Sequence, residues 1–288
     1  MLLTLFFSRS ISIIALSVLL CVSANLLQAQ QPVPASLVND IVQKQIDATA
    51  QENLAYEYIL HKSDKRGDVV RMEIATPFGN VARTISRQGR PLNAEETAYE
   101  IQHLRKIIQS ESEQKKRTKA AADSRKDTLE IVNAMRTAMI YTLRPGQPQI
   151  SSFSKPQIAI DFKPNPAFHP ESMAQEGLQG VAGTLWIDAK THLIRRVEAR
   201  SEKDFNILFG IAVKVYAGAT LTAEQREFSP GKLMYSKLKV DAKLREFLFK
   251  TVNYHTSQEA TDVQRLSDGL SLAAAAKMLI EMPNPHYP

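Results

Sequence analysis

The stretch Gly183-Thr184-Leu185-Trp186-Ile187-Asp188-Ala189-Lys190-Thr191-His192-Leu193-Ile194-Arg195-Arg196-Val197 decides the fold. Two β-rich runs flank a polar connector, and Asp188 can accept hydrogen bonds from the backbone that follows it, so the stretch predicts a β-hairpin. It also holds the only tryptophan of the chain. Downstream, strand-like runs over 205–216, 218–228, 232–242 and 246–255 are separated by turn signals such as Ser229-Pro230-Gly231. Upstream, Ile158, Ile160 and Phe162 alternate with Ala159 and Asp161, a period of two. Further strands are expected over 56–63, 68–77, 81–87 and 140–143, the first pair joined at Asp64-Lys65-Arg66-Gly67. Strands this close in sequence pair antiparallel, because parallel neighbours need crossovers of a dozen or more residues. The expectation is a mainly antiparallel β fold with α insertions and about eleven strands.

Helical periodicity marks the insertions. Leu37, Val38, Ile41 and Ile46 predict an amphipathic helix over 36–53 with Ser36 as its cap. Asn93 with Glu96 three residues on predicts a capping box, and Tyr99, Leu104, Ile107 and Ile108 give the helix behind it an apolar face. Over 109–126 the apolar residues shrink to alanines, so that helix either continues into solvent or frays. An apolar passage over 129–139 and a helix over 270–281 complete the set.

Residues 1–29 read as an export signal. The apolar run over 11–22 is about twelve residues long, the size of a signal-peptide core rather than a membrane span. Leu27-Gln28-Ala29 before Gln30-Gln31-Pro32 is the favoured cleavage site, with Ala24 as the other; an uncleaved anchor is the alternative. Cys21, the only cysteine, lies inside this segment after Leu20, which is too large for a lipoprotein signal. Once the segment is removed, the chain has no disulfide and no thiolate metal site. The domain plan is therefore a signal over 1–29, a linker over 30–35, one domain over 36–263 with a helical insertion near 93–138, and a helix and tail over 264–288.

The net charge of +6 and pI near 9.3 raise nucleic acid as a partner. Export argues against it, and Lys115, Lys116, Arg117 and Lys119 have no interleaved aromatics on which bases could stack. Those cations read as a solvated helix face, or as a contact for anionic lipid or an acidic partner protein. Catalytic signatures are lacking: there is no H-E-x-x-H, no G-x-S-x-G and no phosphate loop among the 11 glycines. The 6 histidines follow no ligand spacing, so neither a metal nor a cofactor is expected, and the protein reads as a non-enzyme. What stands out is apolar surplus. Phe205, Ile207, Phe209, Ile211, Val213 and Val215 share one face of an expected single strand, either as core or as the wall of a ligand cavity.

The Gly-x-x-Trp-Ile-Asp stretch, its short connector and Leu193-Ile194-Arg195-Arg196-Val197-Glu198 resemble the central hairpin of the LolA/LolB-like superfamily, the periplasmic lipoprotein-localisation factors and their relatives. The turn Gly89-Arg90-Pro91-Leu92 before a helix is a second point of similarity, to exported members of unassigned function. The charged segment around Lys115 and the tail from Leu270 depart from that layout. The resemblance implies an unclosed half-barrel, lidded by helices, whose hydrophobic side receives acyl chains. On this basis the expected function is a periplasmic carrier or chaperone for a lipid or a lipoprotein acyl chain. Candidate lining residues are Phe209, Ile211, Val213, Phe247 and Phe249. The alternative is an envelope interaction or sensing module with a filled cavity, docking through Lys115, Lys116, Arg117 and Lys119.

Overall fold

The computed structural model describes residues 30–50, 54–208, 212–229, 232–246 and 250–283. Its strands are β1 (Tyr56–Asp64), β2 (Gly67–Thr76), β3 (Gly79–Arg87), β4 (Arg90–Pro91), β5 (Met139–Leu143), β6 (Gln157–Pro164), β7 (Val181–Asp188), β8 (Ile194–Ser201), β9 (Phe205–Leu208), β10 (Ala212–Val215), β11 (Thr220–Ser229), β12 (Lys232–Glu246) and β13 (Lys250–Arg265). Eleven of them run antiparallel in the order β4-β3-β2-β1-β13-β12-β11-β8-β7-β6-β5, while β10 pairs with β12 off this path and β9 pairs with β10. The two ends of that path are different strands, so the sheet is an unclosed half-barrel. At one edge Val33 donates to the Tyr141 carbonyl and Leu143 to that of Gln31, which satisfies backbone groups a bare edge strand would expose.

The central hairpin forms where its sequence requires it. Asp188 accepts from the backbone N–H groups of Thr191 (2.8 Å) and Lys190 (3.0 Å), and His192 takes a positive φ to close the turn. Burial pushes the Asp188 carboxyl up, but those two donors, with the Thr191 side chain and the Lys155 charge, together hold the group below the usual carboxylate range. Gly183 is required for a separate reason: a Cβ there would sit 1.9 Å from the Glu198 carbonyl oxygen on β8.

The helices are α1 (Ala35–Thr49), α2 (Ala94–Gln109), α3 (Glu111–Ala138), the short α4 (Met173–Glu176) and α5 (Leu272–Glu281). They seal the two ends of the sheet on opposite faces. Val38, Ile41 and Val42 of α1, with Ala134 and Ala138 of α3, bury Ile160, Leu185, Ile187 and Ile194 at the β5–β8 end. At the other end, Leu104 and Ile107 of α2 and Ala275, Ala276 and Leu279 of α5 bury Ile74 and Val81. Successive strand residues point to opposite faces. Ile74 therefore faces α5, whereas Glu73 and Ala75, like Leu185, belong to the face that carries α1.

Three expectations are corrected. The run 205–216 is not one central strand. It folds into the β9–β10 hairpin, with Phe205 opposite Val215, and only β10 joins the sheet, through β12. Residues 109–126 neither fray nor continue the preceding helix: Ser110 ends α2 and caps the 28-residue helix α3 by accepting from the Glu113 N–H. Ser36 does not cap α1, whose first turn begins at Ala35 after Pro34. The capping box at Asn93 and Glu96 forms as expected.

Candidate functional site

Between the two sealed ends, the α1 face of β11, β12, β13, β1 and β2 carries no packed helix. A groove of about 660 Å³ runs there, walled by the end of α1, the middle of α3 and the sheet. The helices do not fill it because most of the residues they turn toward it are short: Ala48 and Thr49 on α1, and Ala120, Ala121, Ser124 and Thr128 on α3, beside the longer Gln45, Arg117 and Arg125. Positions 117, 121, 124 and 128 recur at helical spacing, so one stripe of α3 faces the groove while Lys115 and Lys119 point away. Arg125 fixes this crossing by donating to the Pro77 carbonyl (2.9 Å) at the β2–β3 turn.

Aromatic side chains form the sheet wall. Tyr56 packs on Phe228 with ring centroids 4.8 Å apart and on Tyr58 at 5.9 Å, and Tyr235, 57% exposed, stands over the groove. The Tyr58 hydroxyl donates to the buried Glu73 carboxylate at 2.7 Å. Burial, and then the Glu73 charge, push both the Tyr56 and Tyr58 phenols above their usual range, so they stay neutral donors. Past Tyr56, Asn80, Met234 and Tyr235 the groove continues into a second chamber of about 360 Å³, with Arg71, Lys62, Leu238 and Gln258 in its walls.

Further along β12, on the same face, the lining turns apolar. A cavity of about 440 Å³ lies between the β9–β10 hairpin, which supplies Phe205, Val213 and Val215, and the sheet, which supplies Leu221, Val240 and Leu244 among others. The register accounts for this. Leu221 lies opposite Val240, and Val215 opposite Leu244, so apolar residues of three strands meet in cross-strand rows. The hairpin is held over the cavity by the Lys214–Asp204 ion pair (2.8 Å), and Asp204 also accepts from the Ala217 N–H.

Of the residues singled out for an acyl chain, Val213 lines this cavity. Phe209, Ile211, Phe247 and Phe249 lie outside the described residues. Of the cation cluster, Arg117 turns into the large groove and pairs with Glu113 (2.8 Å). Lys115 and Lys119 are 75% and 79% exposed and pair along the helix with Glu111 and Asp123, while Lys116 is exposed. The α3 stripe and the tyrosine wall were missed. The signal for the stripe was the spacing of the small residues Ala120, Ala121, Ser124 and Thr128 along one face of a charged helix.

Trp186 is buried, but on the face opposite Leu185, between the guanidinium groups of Arg144 (5.9 Å) and Arg196 (5.8 Å). It therefore lines neither the groove nor the helix-covered core. Asp161, on that same outer face, accepts from Thr184 (2.7 Å) and pairs with Arg144 (3.1 Å). Among the described residues no three His, Cys, Asp or Glu side chains converge as a metal site would require, and no helix is long and apolar enough to cross a membrane.

No family model and no curated protein matches the chain. Among solved structures, it is similar to a Vibrio parahaemolyticus domain named for outer membrane lipoprotein sorting, at 8% identity and a TM-score of 0.35, covering 84% of this chain and 98% of that one. It is also similar to a DUF1329 family protein from Desulfovibrio piger, at 11% identity and a TM-score of 0.32, covering 81% of this chain and 93% of that one.

Proposed function

We propose that the protein is an exported, non-enzymatic carrier that binds the acyl chain of a lipid or lipoprotein on the α1 face of its half-barrel. One observation carries this reading: an apolar cavity of about 440 Å³ opens on the same face, and along the same strand, as the groove that the helices leave unfilled. Its volume falls in the range of small-molecule sites, ~300–1,000 Å³, and its walls are hydrocarbon from Phe205, Val213, Val215, Leu221, Val240 and Leu244. Each methylene kept out of water is worth ~0.8 kcal/mol, so a chain outside a membrane needs apolar walls of this kind, and holding it there takes no covalent step. The tyrosine wall and the small-residue stripe of α3 leave room for the polar end of the same molecule.

The exported placement rests on the leader read in residues 1–29. Arg117 belongs to the groove in this reading, while Lys115, Lys116 and Lys119 form a separate outer surface that serves for docking on an anionic membrane or an acidic envelope partner. Native mass spectrometry of the mature protein purified from its host tests the carrier reading. Co-purified lipid, or uptake of a fluorescent fatty acid, is the expected result. A bare mass with no uptake removes it and favours an interaction module with its cavity filled.

A further inference from the structure

The strands that enclose the apolar cavity carry a different chemistry on their other side. Val213, Val215, Ala242 and Leu244 turn to the cavity, so Lys214, Tyr216, Lys243 and Arg245 occupy the opposite, outer face. The register sets these residues side by side: Lys214 lies opposite Arg245, and the Tyr216 N–H donates to the Lys243 carbonyl (3.0 Å). The Lys214 and Lys243 ammonium groups stand 5.2 and 5.4 Å from the centre of the Tyr216 ring, which draws both cations to one place. Like charges directly across a strand pair are unfavourable, so this gathering of cations costs the folded protein stability. Asp204 offsets part of the cost, pairing with Lys214 (2.8 Å) within reach of the Arg245 charge. Neither Lys243 nor Arg245 forms an ion pair among the described residues: Asp241, two positions before Lys243 on the same face, is taken by His255 and Lys239 (4.0 Å), and Glu246 lies opposite Lys250. Three cations against one carboxylate leave a surplus of two positive charges. On α3, by contrast, Lys115, Arg117 and Lys119 each have a carboxylate one turn away.

What this surplus recognises follows from the sequence at the same end of the sheet. Phe209-Gly210-Ile211 joins β9 to β10, and Phe247-Leu248-Phe249 joins β12 to β13. Val213 lies opposite Glu246, so the strand ends that these two apolar triplets connect are neighbours. Lys214, Lys243 and Arg245 all lie within four residues of a triplet. A few cations hold a protein to an anionic bilayer only weakly, and stable attachment takes a second, hydrophobic signal. An acidic protein would answer the cations alone, whereas an anionic bilayer answers both. We propose that the outer face of β10 and β12 docks on an anionic lipid bilayer through Lys214, Lys243 and Arg245. Val213 and Leu244, on the cavity side, lie within three residues of the triplets, ~10 Å at strand rise, so docking there brings the cavity beside the membrane that gives up or receives a chain. This rests on the carrier reading, adds the surface at which the carrier meets lipid, and leaves the α3 lysines to an acidic partner.

Vesicle sedimentation of the mature protein tests this. Vesicles containing equal parts of dioleoyl phosphatidylglycerol and dioleoyl phosphatidylcholine are compared with vesicles of phosphatidylcholine alone. The wild type is expected to sediment with the anionic vesicles and to need at least about tenfold more lipid when the anionic component is left out. The double variant Lys243→Glu/Arg245→Glu should lose that preference, whereas Lys115→Glu/Lys119→Glu should keep it. Arg245→Glu places a carboxylate opposite Lys214, so the sheet is not expected to suffer. The neutral pair Lys243→Gln/Arg245→Gln, with near-ultraviolet circular dichroism reporting folding, covers the case in which it does. No preference for anionic vesicles, or a preference lost only in the α3 variant, overturns the docking proposal. Binding of the wild type to immobilised polyglutamate but not to vesicles assigns the patch to an acidic protein and overturns it as well. Uptake of a fluorescent fatty acid from solution is the separate measure of the carrier reading, which stands or falls on it whatever the vesicles show. That uptake should be unchanged in the Lys243→Glu/Arg245→Glu variant, because neither residue lines the cavity.

Discussion

The sheet's covered ends and its open centre differ by opposite choices of side chain. At the ends, Leu104, Ile160, Leu185, Ile187 and Leu279 are branched and large, and helix and sheet interlock until these residues lose essentially all exposure. Along the centre, α3 offers Ala120, Ala121, Ser124 and Thr128, and α1 offers Ala48 and Thr49, so helix and sheet stand apart over tyrosines. One helix makes both arrangements: the second half of α3 packs, through Ile131, Val132 and Met135, while its middle does not. The lesson is that a helix can be positioned as a roof by one of its ends and kept from closing by the small residues further along.

Truncating the ends is expected to have the largest effect. Leu104→Ala and Ile160→Ala should each cost ~2–5 kcal/mol by urea unfolding, because each leaves a cavity in a packed cluster. If either cost less than ~1 kcal/mol, the ends would be as loosely packed as the centre and the contrast would fail. Gly183→Ala comes next. Its methyl would collide with the Glu198 carbonyl, so it should lower stability by ~1–3 kcal/mol as β7 and β8 separate to admit it.

A smaller effect is expected at the start of α2. Asn93→Ala removes one half of the capping box and should cost ~1 kcal/mol. The same box has a pH signature. Glu96 is held at about 2, first by the Arg90 guanidinium and then by the Asn93 N–H, against an ordinary value of 4.5. A depressed carboxylate stabilises the folded state above its unfolded pKa and loses that contribution as pH falls through the folded one. Stability should therefore decline between pH 4.5 and 2, and Glu96→Gln should flatten that part of the profile.

The smallest change in stability belongs to the open centre. Tyr235→Ala should stay within ~0.5 kcal/mol of the wild type while weakening lipid uptake, because the side chain stands over the groove instead of packing in a cluster. A large loss of stability there would mean that the centre, too, is packed core.

Much of this architecture could be read in the chain. The hairpin at Asp188, the capping box at Asn93 and the alternation at Ile158, Ile160 and Phe162 are local signals, and each is decided within a few residues. The pairing of β1 with β13 is not local, for nothing near Tyr56 says that it will lie opposite Arg265. The β9–β10 hairpin escaped because odd residues share a face whether the run is straight or folded back, although only the fold brings Phe205 opposite Val215. The groove escaped because it is defined by what α3 lacks. Alanines over 120–122 look like a solvated helix until the helix is anchored beyond them, by Arg125 on Pro77 and by Met135 in the core.

The central claim is that hydrocarbon lies on the α1 face beneath the β9–β10 hairpin. A photoactivatable fatty acid, cross-linked to the mature protein and mapped by peptide mass spectrometry, tests it most directly. The account predicts labels on peptides of β10, β11 and β12, around Val213, Leu221 and Val240, and none on Trp186 or its outer-face neighbours. Labelling confined to the outer face, or spread evenly over the surface, would contradict it.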